Sequence, residues 1–435
     1  MVKTKDNIYA LSTPPGKSAI ALFRISGEKA YDIVKKISSA MPKKPNLSKT
    51  NTIINYKGEK IDHSITTYFK GPRSFTGEDM VEVSLHGGNA SVKKFISTLN
   101  ENNNIRLAEP GEFTKRAFEN NKLDLTQVEA VADIVNAETE EQRKQALGQL
   151  MGALSEETKK IQNDIKKILA NVEAIIDFSD EELPKNLIKK IKEQTKNTIK
   201  EIKFFLQNSN NGEKIRSGFS VGIVGITNSG KSSFLNNISQ HDVAIVTKTP
   251  GTTRDVLESY IDLRGIPVKF YDTAGIRSTK NKIEKIGINK SIQVYNNADL
   301  NLVFVNTENQ IDKFKKIPNK IYIQSKYDIR KKAIKKTNLA LISSKTNHGI
   351  SALVSKIYKK LRKKTPNSNY IISRERHKKA LEKTNLWLKS SLGKKNYDLV
   401  AEDVRQGLKE ISKIHGSVDI EDILDIIFKD FCIGK

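Results

Sequence analysis

The stretch Gly225-Ile-Thr-Asn-Ser-Gly230-Lys231-Ser232 is a complete G-x-x-x-x-G-K-S. Its chemistry is phosphate binding. The glycines let backbone N–H groups wrap phosphate oxygens. Lys231 can reach the β and γ oxygens, and the Ser232 hydroxyl can ligate Mg²⁺. An apolar run precedes the loop and "SSFLNNIS" follows it, so a strand should lead in and a helix N-terminus should add partial positive charge.

Later segments say which nucleotide. Asp272-Thr273-Ala274-Gly275 closes an apolar run, where P-loop GTPases sense Mg²⁺ and the γ-phosphate. Thr252 and Thr253 in "PGTTRD" offer a switch hydroxyl for Mg²⁺. Ser325-Lys326-Tyr327-Asp328 stands where N-K-x-D would read guanine, and Ser343-Ser344-Lys345 is similar to the S-A-K loop behind the guanine oxygen. Asp328 can accept from the N1–H and exocyclic amine of guanine, which adenine cannot offer. The order points to GTP rather than ATP. Ser325 replaces the usual Asn, and a serine is shorter and lacks the amide that ties the base to the phosphate loop. Weaker nucleotide binding is therefore expected, with the guanine preference kept by Asp328.

Hydrolysis needs a positioned water and a neutralised β–γ bridge. The place of the water-orienting glutamine of Ras-type enzymes holds Ile276, which can do neither. Asn228 could ligate a monovalent cation beside the phosphates, in the role of an arginine finger. Glu284 could orient water through an intervening group. A loop Asn and a surface Glu can equally be without such a role.

The single cysteine, Cys432, lies in the terminal "FCIGK". The position is that of a prenylation box, but Lys435 at its end is outside the usual set. Cys432 could instead be a nucleophile, or a small side chain docking the tail.

These groups need several bodies to hold them. Residues 1–121 mix short β-rich runs with turns: "SAIALFRISG" and "DMVEVSLHGG" read as strands and "AYDIVKKI" as a helix, an α+β domain. The helical period takes over at Leu125, with Thr126 and Glu129 spaced as a capping box and a stripe of Ile161, Ile165, Ile168, Val172 and Ile175. A Lys-rich helix covers 185–207, and "NSNNGEK" (208–214) reads as a boundary. From 217 to 364 strands alternate with helices, with a hairpin turn at Arg264-Gly265, the pattern of a doubly wound sheet. Helices resume from about Arg374. The expected plan is a multidomain α/β chain. An α+β domain over 1–121 is followed by a helical segment over 122–213, an inserted P-loop domain over 214–366, and the rest of the helical domain over 367–435.

The net charge of +25 suggests a polyanionic partner, nucleic acid first and an anionic membrane second. One cysteine excludes a disulfide framework and fits a reducing compartment. No apolar run is long enough to span a membrane, and the N-terminal residues lack a secretory or transit pattern. A cytoplasmic protein is expected.

The whole set resembles the MnmE (TrmE) family of bacterial tRNA-modifying GTPases. "TPPG" (13–16), "FRISG" (23–27), "SFTGED" (74–79), "HGG" (86–88), "PGEFTKRAF" (110–118), "NKLDL" (121–125), "GTTRD" (251–255), "DTAG" (272–275) and "FCIGK" carry the likeness over essentially the whole chain. The resemblance implies an N-terminal folate-binding and dimerisation domain, a discontinuous helical domain and an inserted Ras-like G domain. It implies a homodimer that joins the flavoprotein MnmG (GidA) in a heterotetramer. That complex adds an aminomethyl or carboxymethylaminomethyl group to C5 of the wobble uridine of certain tRNAs. The one-carbon unit comes from a 5-formyl- or methylene-tetrahydrofolate, and GTP hydrolysis depends on K⁺.

Residue by residue, the resemblance puts the nucleotide against Asn228, Ser229, Gly230, Lys231, Ser232 and Ser233. It adds Thr247, Lys248, Thr249, Pro250, Gly251, Thr252 and Thr253. It also adds Asp272, Thr273, Ala274 and Gly275, then Ser325, Lys326 and Asp328, and Ser343, Ser344 and Lys345. Mg²⁺ falls to Ser232 and Thr253, and K⁺ to Asn228, Thr247, Thr249 and Thr252. Catalysis falls to Glu284 and Arg277, with Cys432 a further candidate. Folate falls to Arg24, Glu82, Lys122 and Lys435. Thr227 and Ser229 stand where the family usually has Pro and Ala; both are small, and little effect is expected. The rival readings are a ribosome-assembly GTPase of the Era or Der type and a folate-binding scaffold with a decayed G domain. There is one phosphate loop and no GXXG RNA-binding loop, and Lys231, Ser232, Thr253 and Asp272 are all present.

Overall fold

The computed structural model describes residues 6–178, 186–226, 228–241, 257–272, 295–329, 334, 339–363, 372–417, 427 and 434. The chain divides into two compact units. One comprises Met1–Ala132, Leu150–Gln162 and Leu408–Lys435; the other comprises Asp133–Gln149 and Asn163–Gly407.

The first unit is built on six strands: β1 (Asn7–Leu11), β2 (Ser18–Ser26), β3 (Ser48–Ile54), β4 (Lys60–Phe69), β5 (Met80–Gly87) and β6 (Ile105–Leu107). Their order is β3-β4-β5-β2-β1-β6, antiparallel except for β1 with β6. The two-residue period of β1 decides which face each side chain joins. Tyr9 joins Phe23, Ile25, Val81, Val83 and Leu85 against Ile33 and Val34 of α1 (Ala30–Lys36) and Phe95 and Leu99 of α2 (Asn89–Asn100). Ile8 and Ala10 face the other way, onto Phe113 of α3 (Glu112–Glu119).

Arg116 of α3 is only 2% exposed. Its guanidinium donates to the Asp6 carboxylate at 2.9 Å, to Glu78 at 3.1 Å and to Glu112 at 2.9 Å. Glu112 also accepts from Arg106 at 2.6 Å. Burial alone would raise the Glu112 pKa, but the donors around it hold it below the usual carboxylate range.

Helix α4 (Leu125–Val135) starts two residues earlier than the expected capping box. Asp124, not Thr126, is the cap. Its carboxylate accepts from the N–H of Thr126 at 3.1 Å and of Gln127 at 3.2 Å, and the Gln127 side chain accepts from the Asp124 N–H at 3.1 Å. That is the reciprocal pair of a capping box, because a short carboxylate serves as well as a hydroxyl. Burial works to raise the Asp124 pKa, but hydrogen bonds from Ser155 and Thr126 outweigh it and the value lies below the aspartate range. Helices α5 (Glu140–Leu150) and α6 (Ala153–Asp177) follow, and the predicted isoleucine stripe of α6 is buried.

In the second unit, α7 runs unbroken over Leu187–Ser217. The helix expected to end at 207 therefore continues through 208–214. The reason is packing: Ser209 and Gly212 are buried, and the Gly212 backbone lies so close to the Ile372 carbonyl that a Cβ would sit 2.0 Å from it. Polar composition marked a helix packed against a neighbouring segment rather than a loop.

The second sheet holds β7 (Phe219–Gly225), β8 (Leu257–Leu263), β9 (Ile266–Asp272), β10 (Leu300–Phe304), β11 (Lys320–Gln324) and β12 (Leu339–Leu341), in the order β12-β11-β10-β7-β9-β8. All pairs are parallel except β8 with β9. Phe234 and Ile238 of α8 (Lys231–His241) share one core with Leu353 and Ile357, which lie on a later helix, Ile350–Arg362. Ile311 of α9 (Glu308–Lys313) joins a second core, with Val303 and Tyr322. The helix Ile350–Arg362 is α10. The β8–β9 turn is the predicted one, with φ of 56° at Arg264 and 91° at Gly265, the two left-handed residues of a type I′ turn. Its Gly265 carbonyl accepts from the Glu141 N–H at 3.0 Å. The Tyr260 hydroxyl of β8, its pKa pushed up to about 12 chiefly by burial, meets the Gln142 side chain. Helices α11 (Glu375–Gly393) and α12 (Tyr397–His415) complete the described elements. No described helix is long and apolar enough to cross a membrane.

Candidate functional site

β7 delivers its chain to the carboxyl edge of the sheet and the phosphate loop begins there. Gly225 has φ 157°, and a Cβ on it would lie 2.8 Å from the Phe304 carbonyl oxygen of β10. Asn228 (φ 59°) and Gly230 (φ 88°) are left-handed, so the backbone turns back on itself before α8 starts at Lys231. A Cβ at Gly230 would meet Ser325 Oγ at 2.8 Å. The cradle is thus made of backbone at positions where a side chain does not fit.

Lys231 is 4% exposed, and its ammonium donates to the carbonyls of Gly225 at 3.1 Å and Ile226 at 2.7 Å. Ser229 is buried, and its hydroxyl donates to the Ile226 carbonyl at 2.7 Å. Ser232 and Ser233 are exposed in the first turn of α8, beside its positive end. Asn228 is exposed at the tip of the loop. Asp272 ends β9, paired with Ile223 of β7, which puts it on the strand beside the one that leads into the phosphate loop.

The segments expected to read the base, 325–328 and 343–345, gather on the same edge. Ser325 is buried and its hydroxyl donates to the Ser229 carbonyl at 2.6 Å. Although serine lacks the usual amide, its hydroxyl ties this segment to the main chain of the phosphate loop. Lys326 is left-handed (φ 58°) and exposed, and Asp328 is exposed. The Tyr327 N–H donates to the Ile342 carbonyl at 3.1 Å, bringing Ser343, Ser344 and Lys345 beside them. Ser343 is fully buried, and Lys345 is exposed.

Two residues here were not anticipated. Asn237 of α8 donates to the Ser344 carbonyl at 3.1 Å and to Asn347 at 2.6 Å, joining the phosphate helix to the last base loop. The His348 ring stacks on Tyr327 at 5.3 Å. The only sequence signal for Asn237 was a polar residue on the inward face of α8.

Thr247, Lys248, Thr249, Pro250, Gly251, Thr252, Thr253, Thr273, Ala274, Gly275, Arg277, Glu284, Cys432 and Lys435 lie outside the described residues. Among the described residues no cluster of three or more His, Cys, Asp or Glu side chains could hold a metal ion. The described oxygen donors, Asn228 and Ser232, suit a hard cation completed by nucleotide phosphates rather than a cage made by protein alone.

In the first unit the register β2–β5 sets Arg24 opposite Glu82, and they pair at 2.9 Å. Both are part-exposed, and Arg24 also lies over the Phe75 ring at 5.9 Å. Lys122 donates to the Pro72 carbonyl at 2.9 Å, and its stem lies by Gly77. The loop 71–79 thus borders both Arg24 and Lys122. Gly434 is buried with φ 99°, and its carbonyl accepts from the Ser12 hydroxyl at 3.3 Å. The Ser12 N–H donates to the Leu22 carbonyl of β2 at 2.7 Å, two residues from Arg24. Gly434 therefore lies beside the strand that carries Arg24.

Two family models match the chain: the GTP-binding protein TrmE N-terminus over residues 7–122 and the MnmE helical domain over residues 125–432. Among curated relatives, a tRNA modification GTPase MnmE from Pelagibacter ubique is 42% identical, covering 98% of this chain and 100% of its own length. The protein of that name from Rickettsia bellii is 37% identical over 99% and 100%. The one from Clostridioides difficile is 36% identical over 99% of both.

Proposed function

The chain belongs to the MnmE (TrmE) family of tRNA modification GTPases, and from that premise we propose how its GTP hydrolysis serves the wobble uridine. It is a GTP hydrolase of tRNA wobble-uridine modification. The observation that carries the reading is the buried Ser325–Ser229 hydrogen bond, which holds the base-reading segment against the phosphate loop.

In this reading the loop N–H groups and Lys231 bind the phosphates, Ser232 and Thr253 hold Mg²⁺, and Asp328 selects guanine. Asn228, with Thr247, Thr249 and Thr252, would hold K⁺, whose positive charge at the β–γ bridge replaces an arginine finger. Glu284 orients the attacking water, with Arg277 beside it. Arg24, Glu82, Lys122 and Lys435 bind a tetrahydrofolate: cations meet its carboxylates and the carboxylate accepts from pterin N–H groups. The Arg24–Glu82 pair supports this, because each group fixes the other's orientation while both stay part-exposed. Cys432 docks the tail or acts as a nucleophile, and Cys432→Ser with intact modification would exclude an essential thiol.

The working assembly is a homodimer joined to the flavoprotein MnmG. It adds an aminomethyl or carboxymethylaminomethyl group to C5 of the uridine. Mass spectrometry of wobble uridines in tRNA from a strain lacking the gene tests this. Unmodified C5 is expected; normal modification with defective ribosomal subunits would favour a ribosome-assembly role instead. GTPase rates in K⁺ and Na⁺ should differ strongly, and Asn228→Ala should erase the difference.

A further inference from the structure

The Lys-rich helix has a face that GTP, folate and the core leave unused. Lys189, Lys192, Lys196, Lys200 and Lys203 recur every three or four residues along α7. At 100° per residue they fall within an arc of about 80°. Where α11 lies alongside, Lys196, Lys200 and Lys203 meet Lys389 across a furrow of about 320 Å³ lined also by Ile199 and Leu392. The four lysines are exposed, and among the described residues none is in an ion pair. Glu193 borders the stripe; Glu201 points well away from it on the helical wheel.

Four ammonium groups around one concavity repel one another unless an anion joins them, and mutual repulsion of this kind is kept where a polyanion binds. The apolar residues choose between polyanions. A bilayer needs an apolar face that projects among the cations; within the furrow Ile199 is 7% exposed, and the projecting Phe204 of α7, 58% exposed, lies outside its lining. A recessed apolar strip between cationic walls instead admits a sugar-phosphate chain, its phosphates on the lysines and its sugars on Ile199 and Leu392.

We propose that the α7–α11 furrow is a docking site for the RNA phosphate backbone, and that it holds tRNA without reading its sequence. This rests on the tRNA-modifying reading above. The test is tRNA affinity against salt for the full-length chain, compared with the variant K196Q/K200Q/K203Q/K389Q. Glutamine keeps helix propensity, and none of the four positions belongs to the nucleotide or folate machinery, so GTP turnover should be unchanged. A control carries K57Q/K313Q/K315Q/K316Q, with the same loss of net charge. The furrow variant should bind tRNA at least about tenfold more weakly in ~0.1 M salt, with the log–log salt slope shallower by about 3. The control should change far less.

An equal loss in the control would overturn the site in favour of bulk charge. An unchanged furrow variant would overturn it too, and so would a defect seen with phosphatidylglycerol vesicles but not with tRNA. If the wild-type chain does not bind tRNA, the docking site falls; the gene-deletion measurement of wobble uridines still decides the functional reading by itself.

Discussion

Lys231 and Arg116 are both cations buried to within a few per cent, yet the chain surrounds them differently. Lys231 rests on carbonyls of its own loop, five and six residues away. Arg116 rests on carboxylates, with Asp6 110 residues away and Glu78 38 residues away. A carboxylate cancels a guanidinium and locks the fold around the pair. The two carbonyls bring only dipoles to the Lys231 ammonium, and they belong to the loop that phosphate-binding motifs wrap around their ligand. The first arrangement makes structure; the second makes a binding site. The contrast is testable in both directions.

The largest effect should come from Arg116→Met. It leaves Glu78, Glu112 and Asp6 without their shared cation, so chemical denaturation should show a loss of about 3–5 kcal/mol. A loss under about 1 kcal/mol would show that the cluster is not structural. Lys231→Ala should do the opposite. GTP affinity, read by titration with a fluorescent analogue, should fall by roughly a hundredfold, from charge-assisted bonds of about 1.5–3 kcal/mol each. Thermal stability should change much less than for Arg116.

Ser325→Ala removes the hydroxyl that holds the Ser229 carbonyl. About 1 kcal/mol is expected, or roughly fivefold weaker GTP binding, with GTP still preferred over ATP through Asp328. A switch to ATP would break the guanine assignment.

The smallest effect is acid-dependent. The Asp124 pKa is depressed in the fold, so its stabilisation is full above the unfolded value, about 4. It is lost as pH falls through the lower folded value. Asp124→Asn should destabilise near neutrality and should flatten the acid limb of the stability curve below about pH 4. An identical acid limb in both proteins would remove Asp124 as its source.

The same contrast explains what the sequence made legible. A backbone-built site is written locally: the run from Gly225 to Ser232 states the loop, and the apolar runs around it state the strand and helix. The hairpin at Arg264-Gly265 and the α6 stripe were legible for the same reason, being short-range periods. Arg116 was not, because nothing near it in sequence announces Asp6 or Glu78; only the fold brings them in. The Arg24–Glu82 pairing needed the β2–β5 register. The helix end read before 208–214 failed on tertiary grounds: a polar run containing glycine reads as a break until a neighbouring carbonyl is seen to require that glycine. At Ser325 only the missing amide was legible, and not the Ser229 carbonyl within reach of the hydroxyl.

The β8–β9 hairpin has a mechanical meaning. Its turn is pinned to α5 through Glu141, and its open end is the rung Leu257↔Asp272. Seven residues per strand, at about 3.3 Å each, make a ribbon roughly 20 Å long. The chain enters the ribbon just after the threonines of "GTTRD" and leaves it at Asp272, where β9 is paired with Ile223 of β7. A one-residue slip would turn Ile261, Val268 and Phe270 out of the core, which fixes the ladder's length. β9 is also held by β7 from Val268 to Asp272, so pulling β8 at its free end loads the β8–β9 ladder as shear against the rest of the sheet.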